Sequence, residues 1–224
     1  MKSKTFLSIL TLLLCLSAHY SNAQFIKDNN GRPITTKSSY TDVQGTPFLS
    51  DQWSKGIVKM ANGKVFDMQV KYHEVDDALY FQGKNGETLT FVDPVSEFTI
   101  TYISDDKRSD LLFRKGFKNI PNSTEESFFE VLSDGTVQLI KRITKSVSES
   151  KEYNALTVVK RFDENIKYFI LVSGKVIPVK RDKKSILLAI GNKQPELENY
   201  IKTNNLNLKN EDDMAKVVRF YNSL

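Results

Sequence analysis

Apolar positions along this chain change their period at two places, and the changes divide it. From Gly56 to Val179 apolar residues recur mainly at every second position. Phe66, Met68, Val70 and Tyr72 alternate with Asp67, Gln69 and Lys71, and Phe98, Ile100 and Tyr102 alternate with Glu97, Thr99 and Thr101. This is the pattern of a strand with one buried face. Turn dipeptides separate the runs: Asn62-Gly63, Asn85-Gly86, Asp134-Gly135 and Ser173-Gly174. The first three readily take the positive φ angles of tight hairpins, and Ser-Gly is a weaker form of the same signal. Four such turns predict an antiparallel sheet system of roughly nine to eleven strands. Its apolar faces would be covered by closing into a barrel or folding into a sandwich. Pro178 places the last strand at an edge or a bulge, where a missing N–H does little harm.

The segment before this body, residues 24–54, is polar and broken by Asn30-Gly31, Pro33, Gly45 and Pro47, so it reads as an irregular lead-in with at most one short strand. Within the body, residues 55–181, the polar stretches Ser104 to Arg108, Asn119 to Glu126 and Thr144 to Glu152 read as loops. Residues 182–224 switch to helical spacing. A first helix is expected over Lys183 to Ile190, a second from Pro195 to about Asn204, and a third from Glu211 to Ser223 with Asn210 as its N-cap. In the third, Met214, Val217, Val218 and Tyr221 form one apolar stripe, and Glu211, Asp212 and Asp213 suit the positive end of the helix dipole. The fold class expected is therefore mainly β, hairpin-built, with a small C-terminal helical segment.

The first 23 residues have a different character. Lys2 and Lys4 precede an apolar run from Phe6 to Leu16, then a polar stretch and the small residue Ala23. This order is that of a secretory signal peptide, its apolar core too short to span a membrane. Cleavage after Ala23 would make Gln24 the first mature residue and would remove Cys15, the chain's one cysteine. Leu14 in front of Cys15 argues against a lipid-anchored cysteine. Cleavage also takes two lysines from a formal net charge of +5 and leaves His73 as the one histidine. A thiol nucleophile, an iron–sulfur cluster and a Cys-based zinc site are excluded from the mature form. Export and modest charge exclude nucleic acid as a partner. The chain is expected to be periplasmic, at the outer surface or secreted, with no membrane-spanning segment after cleavage.

Candidate chemistry is sparse. His73, Glu74, Asp76 and Asp77 form the one cluster able to act as a metal or acid–base site. They lie in a connection between strands, but one imidazole and three carboxylates match no metal-ligand spacing, and a solvated turn is the simpler expectation. Asp105, Asp106 and Asp110 lack the glycine and terminal glutamate of a calcium loop. No Gly-x-Ser-x-Gly elbow, His-Glu-x-x-His motif, phosphate-binding loop or dinucleotide fingerprint occurs. No cofactor is expected, and binding ranks above catalysis. Basic pairs recur at Lys141-Arg142, Lys160-Arg161 and Lys180-Arg181, near strand ends, where they could gather into a positive rim; solvated edge protection is the competing explanation. Some strands are apolar on both faces, with Ile166, Tyr168 and Ile170 opposing Phe169 and Leu171. Their second surface would be covered by the C-terminal helices, a partner protein or an apolar ligand.

The run from Gly45 to Trp53, Gly56-Ile-Val with Asn62-Gly63-Lys64, Val70-Lys-Tyr72, Phe91-Val-Asp-Pro94 and the stretch from Phe128 to Arg142 resemble a group of uncharacterised exported β-rich proteins of Gram-negative bacteria. The resemblance rests on turns and strand patterns, and it implies localisation and fold with no catalytic residue. The function expected is an exported, non-enzymatic envelope protein that binds a protein partner or surface component. The alternatives are a carrier of an apolar or amphiphilic ligand in a β-barrel-like cavity, and a hydrolase built on Glu74, Asp76 and Asp77.

Overall fold

Each of the four predicted turns folds as a hairpin. Gly63, Gly86, Gly135 and Gly174 all have positive φ, and they join β2 (Ser54–Met60) to β3 (Val65–His73), β4 (Ala78–Gln82) to β5 (Thr88–Thr90), β8 (Phe129–Ser133) to β9 (Val137–Ser150), and β10 (Val159–Val172) to β11 (Lys175–Val179). The remaining strands are β1 (Val43–Gln44), β6 (Val95–Ser104) and β7 (Lys107–Arg114). The computed structural model describes residues 40, 42–104, 107–151 and 158–224. The expected leader over residues 1–23, with Cys15 and the cleavage point before Gln24, lies outside the described residues, as do Asp105 and Asp106.

The eleven strands form one sheet in the order β1-β10-β9-β8-β7-β6-β2-β3-β4-β5, with β11 also paired to β10. Neighbours are antiparallel except β1, which runs parallel to β10 through Val43↔Lys160 and Gln44↔Arg161. The predicted class therefore holds: mainly β, built from hairpins, with a helical C-terminal segment. The barrel form does not, because β5 ends the ladder on one side and β1 and β11 end it on the other. Instead the sheet bends until the β3–β4 turn meets β9, where the Lys145 N–H donates to the Glu74 carbonyl at 3.2 Å. Two register shifts, at Lys59/Met60 and between Val131 and Ser133, contribute to the bend, since bulges raise local twist. Gly56 permits it too. A Cβ there would lie 2.4 Å from Val70 Cγ2 and 2.8 Å from the Thr99 carbonyl.

Inside the bend, Tyr72, Phe98, Phe113 and Phe128 pack ring on ring with Val58, Val70 and Ile100. The other half of the sheet has two apolar faces. Val137, Leu139, Tyr168 and Ile170 face three helices, α1 (Lys183–Ile190), α2 (Gln194–Thr203) and α3 (Glu211–Asn222). On the opposite face Phe129, Ile140 and Phe169 are covered by Phe117 and Ile120 from the connection after β7. The two-faced strands thus take one cover from the helices, as expected, and the second from a loop.

The helices begin where their caps place them. The Asp182 side chain accepts from the Ser185 N–H and the Asn210 side chain from the Asp212 N–H, both at 2.8 Å. Asn222, at the far end of α3, anchors that helix to the β8–β9 hairpin. Its Oδ1 accepts from the Val137 N–H at 2.9 Å, and its Nδ2 donates to the Val137 carbonyl at 2.8 Å. This contact requires Gly135, where a Cβ would sit 2.5 Å from Asn222 Nδ2.

Two expected loops are strands. Thr144 to Ser150 continues β9 in unbroken register with Val159–Asn165 of β10, and Lys107 and Arg108 belong to β7 opposite Ser104 and Ile103. Serine and charged residues look like loop in isolation, but paired ladders with both faces solvated tolerate them. Val147, Val158 and Ile166 are exposed along this arm.

Candidate functional site

Strand alternation sends the basic residues of β9 in different directions. Lys141 sits in a row across three strands, opposite Glu130 on β8 and Tyr168 on β10. Its Nζ lies 2.7 Å from Glu130 Oε2 and 2.8 Å from Glu211 Oε2, and Glu211 belongs to the first turn of α3. Tyr168 donates its hydroxyl to the other Glu211 oxygen. Glu130 and Lys141 are 4% and 8% exposed, so the pair is desolvated. Burial pushes the Glu130 carboxyl above its ordinary range, more than Lys141 draws it down. Lys141 is itself desolvated, but the two carboxylates facing it outweigh that and raise its pKa. Burial and the Glu211 hydrogen bond hold the Tyr168 phenol protonated. This group pins the helical segment to the sheet.

Arg142 points to the other face. It donates to Asp77 Oδ2 at 3.0 Å and to the Phe128 carbonyl at 3.2 Å. Asp77, in the β3–β4 turn with φ +53°, also accepts from the Tyr72 hydroxyl at 2.6 Å and from the Phe128 N–H. Further along β9, Lys145 Nζ lies 2.7 Å from Glu74 Oε2 and donates to the Phe48 carbonyl at 2.6 Å. These contacts fasten the bent sheet to itself.

The expected His73–Asp77 cluster is accordingly no solvated turn. His73 and Glu74 are buried, Asp77 is half-buried, and Asp76 is exposed. The turn is buried because β9 and the segment around Phe48 lie against it, two partners remote in the chain. His73 Nδ1 accepts from the Asp76 N–H at 3.0 Å, so the ring proton belongs on Nε2, and burial lowers the imidazole pKa. Phe48 stands edge-on to that ring at 4.8 Å. Burial raises the Glu74 carboxyl pKa despite Lys145. Among the described residues no group of three or more His, Cys, Asp or Glu side chains is placed to hold a metal ion. Asp110, from the weaker acidic set, accepts from the Thr101 hydroxyl at 2.7 Å.

The six basic residues expected to form a rim are not brought together. Lys141 and Arg142 are held in the ion pairs above. Lys160 pairs with Glu149 at 3.2 Å and Arg161 with Asp163 at 3.0 Å, near the start of β10. They stand about 25 Å along the strand from Tyr168, at about 3.3 Å per residue. Lys180 and Arg181 leave β11 beside an open cleft of about 330 Å³. Arg181 lies over the Tyr168 ring, 5.8 Å from its centre. Ile166, Phe169 and Pro178 give the cleft an apolar lining, and the lining also includes a third cation, Lys167, that no basic-pair motif announces. All three cations are exposed, and among the described residues no carboxylate lines the cleft. The signal for Lys167 lies in hairpin register. The Ser173-Gly174 turn pairs Val172 with Lys175 and Tyr168 with Val179, which puts Lys167 next to Lys180.

No family model, curated protein or solved structure matches the chain. Among the described residues, no helix is long and apolar enough to cross a membrane. The functional reading therefore rests on the residues themselves.

Proposed function

We propose that this chain is an exported, non-enzymatic protein of the bacterial envelope that binds a protein partner or surface component through the cationic cleft between β10 and β11. One contrast carries the reading. The interior cations Lys141, Arg142 and Lys145 each face a carboxylate within 3.0 Å, whereas Lys167, Lys180 and Arg181 surround an open cleft that no carboxylate lines among the described residues. Export rests on the leader pattern of residues 1–23. The carrier alternative has less support, because stacked rings occupy the inside of the bend. So does the hydrolase alternative, because Glu74 and Asp77 are held by Lys145 and Arg142.

Two measurements test the proposal. N-terminal sequencing of protein recovered from the cell envelope should begin at Gln24, and recovery of the uncleaved chain from the cytoplasm would refute export. Crosslinking in intact cells should join the protein to a defined envelope component, and the Lys180→Glu/Arg181→Glu variant should lose that product. An equal yield from the variant would remove the cleft from the function.

A further inference from the structure

The outer edge of β10 is paired at both ends and open in the middle. β1 covers it at Lys160 and Arg161, and β11 covers it from Tyr168 to Val172. Among the described residues no strand pairs with that edge from Asp163 to Lys167. Arg161 and Tyr168 bracket six residues of this edge, of which the last five, Asp163 to Lys167, span about 17 Å of extended chain. Alternate residues of an edge present N–H and C=O groups outward, the groups with which an added strand pairs.

Three border strands of the sheet are blunted in the usual ways. β5 has three residues, β1 has two, and β11 contains Pro178. The gap has none of these protections at its centre. Asn165 is uncharged and Ile166 is apolar and 39% exposed. Charge at the gap is uneven. Asp163 is met by Arg161, and Glu164 stands opposite Lys145 on β9, whose ammonium is held by Glu74, so the acids of the gap lie toward its β1 end. At the β11 end, Lys167, Lys180 and Arg181 line the cleft with no carboxylate among the described residues.

We infer that the β10 edge between β1 and β11 accepts an extended acidic segment of a partner protein as an added strand, its carboxylates seated among Lys167, Lys180 and Arg181. The inference rests on the binding reading above and names the partner class for that cleft. Backbone pairing supplies the strand's register, exposed Ile166 supplies apolar contact for one side chain, and the three cations select acid over base at the β11 end. A guest of about five residues fills the gap; a longer one would meet β1 or β11.

The test is selection of a random pentapeptide library on the purified protein, followed by amide hydrogen exchange with the best peptide. Enriched peptides should combine β-branched residues with Asp or Glu at one end, and should slow exchange at residues 163–167. The Lys167→Glu/Lys180→Glu/Arg181→Glu variant should bind them at least about tenfold more weakly, with its exchange elsewhere unchanged. Three results would overturn the inference: no enrichment, enriched peptides without acidic residues, or acidic peptides that bind the variant equally well. Amides at 163–167 already protected in the free protein would also overturn it, showing the gap filled by the chain's own segments or, if the protection depends on concentration, by a second copy. Should peptides fail while the cleft-dependent crosslink to an envelope component persists, the partner class falls and the binding function stands.

Discussion

The two halves of the sheet meet the same requirement, removal of apolar faces from water, by different means. Strands β2 to β7 bend round their own side chains, and rings fill the space: Phe98 stacks on Phe113 at 4.8 Å, Tyr72 packs against them, and Phe128, just ahead of β8, adds a fourth ring. Strands β8 to β11 are apolar on both sides and draw cover from elsewhere in the chain. Aliphatic side chains of α1–α3, among them Ile186, Leu197, Met214 and Val217, take one face, and Phe117 and Ile120 take the other. Large rings let a single set of strands fill its own concavity, because each ring removes much surface from water. A two-faced sheet has no such option, so its stability depends on docking, and the buried Glu130–Lys141–Glu211 group sits at that docking surface.

If this contrast is right, truncations in the two halves should behave differently. Phe98→Ala empties the centre of the ring cluster and should lower the unfolding free energy by about 4 kcal/mol in urea titration, with exchange accelerated throughout β2–β7. Lys141→Met should cost about 3 kcal/mol, because it leaves the desolvated Glu130 without its cation. Replacing Glu130 and Glu211 by Gln in the same chain should recover part of that loss. Met214→Ala, in the fully buried stripe of α3, should cost about 2.5 kcal/mol. Its amide exchange should rise in α1–α3 while β2–β7 stay protected, and uniform acceleration in both halves would show that they unfold as one unit.

The smallest effect concerns pH. Burial raises the Glu74 pKa in the folded protein, so the folded state binds this proton more tightly than the unfolded chain does. Its contribution is most favourable below the unfolded value of about 4.3 and declines as pH rises through the higher folded value. Glu74→Gln removes that decline. The stability difference between the variant and the parent should shift toward the variant as pH rises from about 4.3, then level off. A difference independent of pH would mean that Glu74 is as well solvated as an ordinary carboxylate. Asp134 provides the opposite sign for comparison: Gln138 and Arg114 hold its pKa down, so its contribution is present at neutral pH and lost toward acid.

What could be read in advance was short-range. Each hairpin turn is two residues whose backbone preference is local, and the β10–β11 register follows from its turn, which is why Lys167 beside Lys180 was within reach of the sequence although no motif marked it. The β8–β9 register shifts between Val131 and Ser133 and does not follow from its turn alone. Helix limits were legible because Asp182, Asn210 and Pro195 act within one turn of themselves. The polar arm from Thr144 to Ser150 was misread because its strand state comes from the partner across the ladder rather than from its own composition. The ion pairs were out of reach altogether. Lys141 and Glu211 are 70 residues apart, and Arg142 and Asp77 are 65 apart.

By itself, then, the sequence determined the class of fold, the hairpins, the three helices and their ends, and the sparseness of catalytic groups. Periodicity and turn chemistry act over a few residues and need no knowledge of the rest of the chain. Tertiary structure decided that the sheet bends without closing, that Glu74 and Asp77 become fastenings of the bend, and that only Lys180 and Arg181 of the expected rim border an open cleft. Those outcomes depend on which distant charges meet once apolar faces have found their covers, and burial couples residues with no pattern in common along the chain.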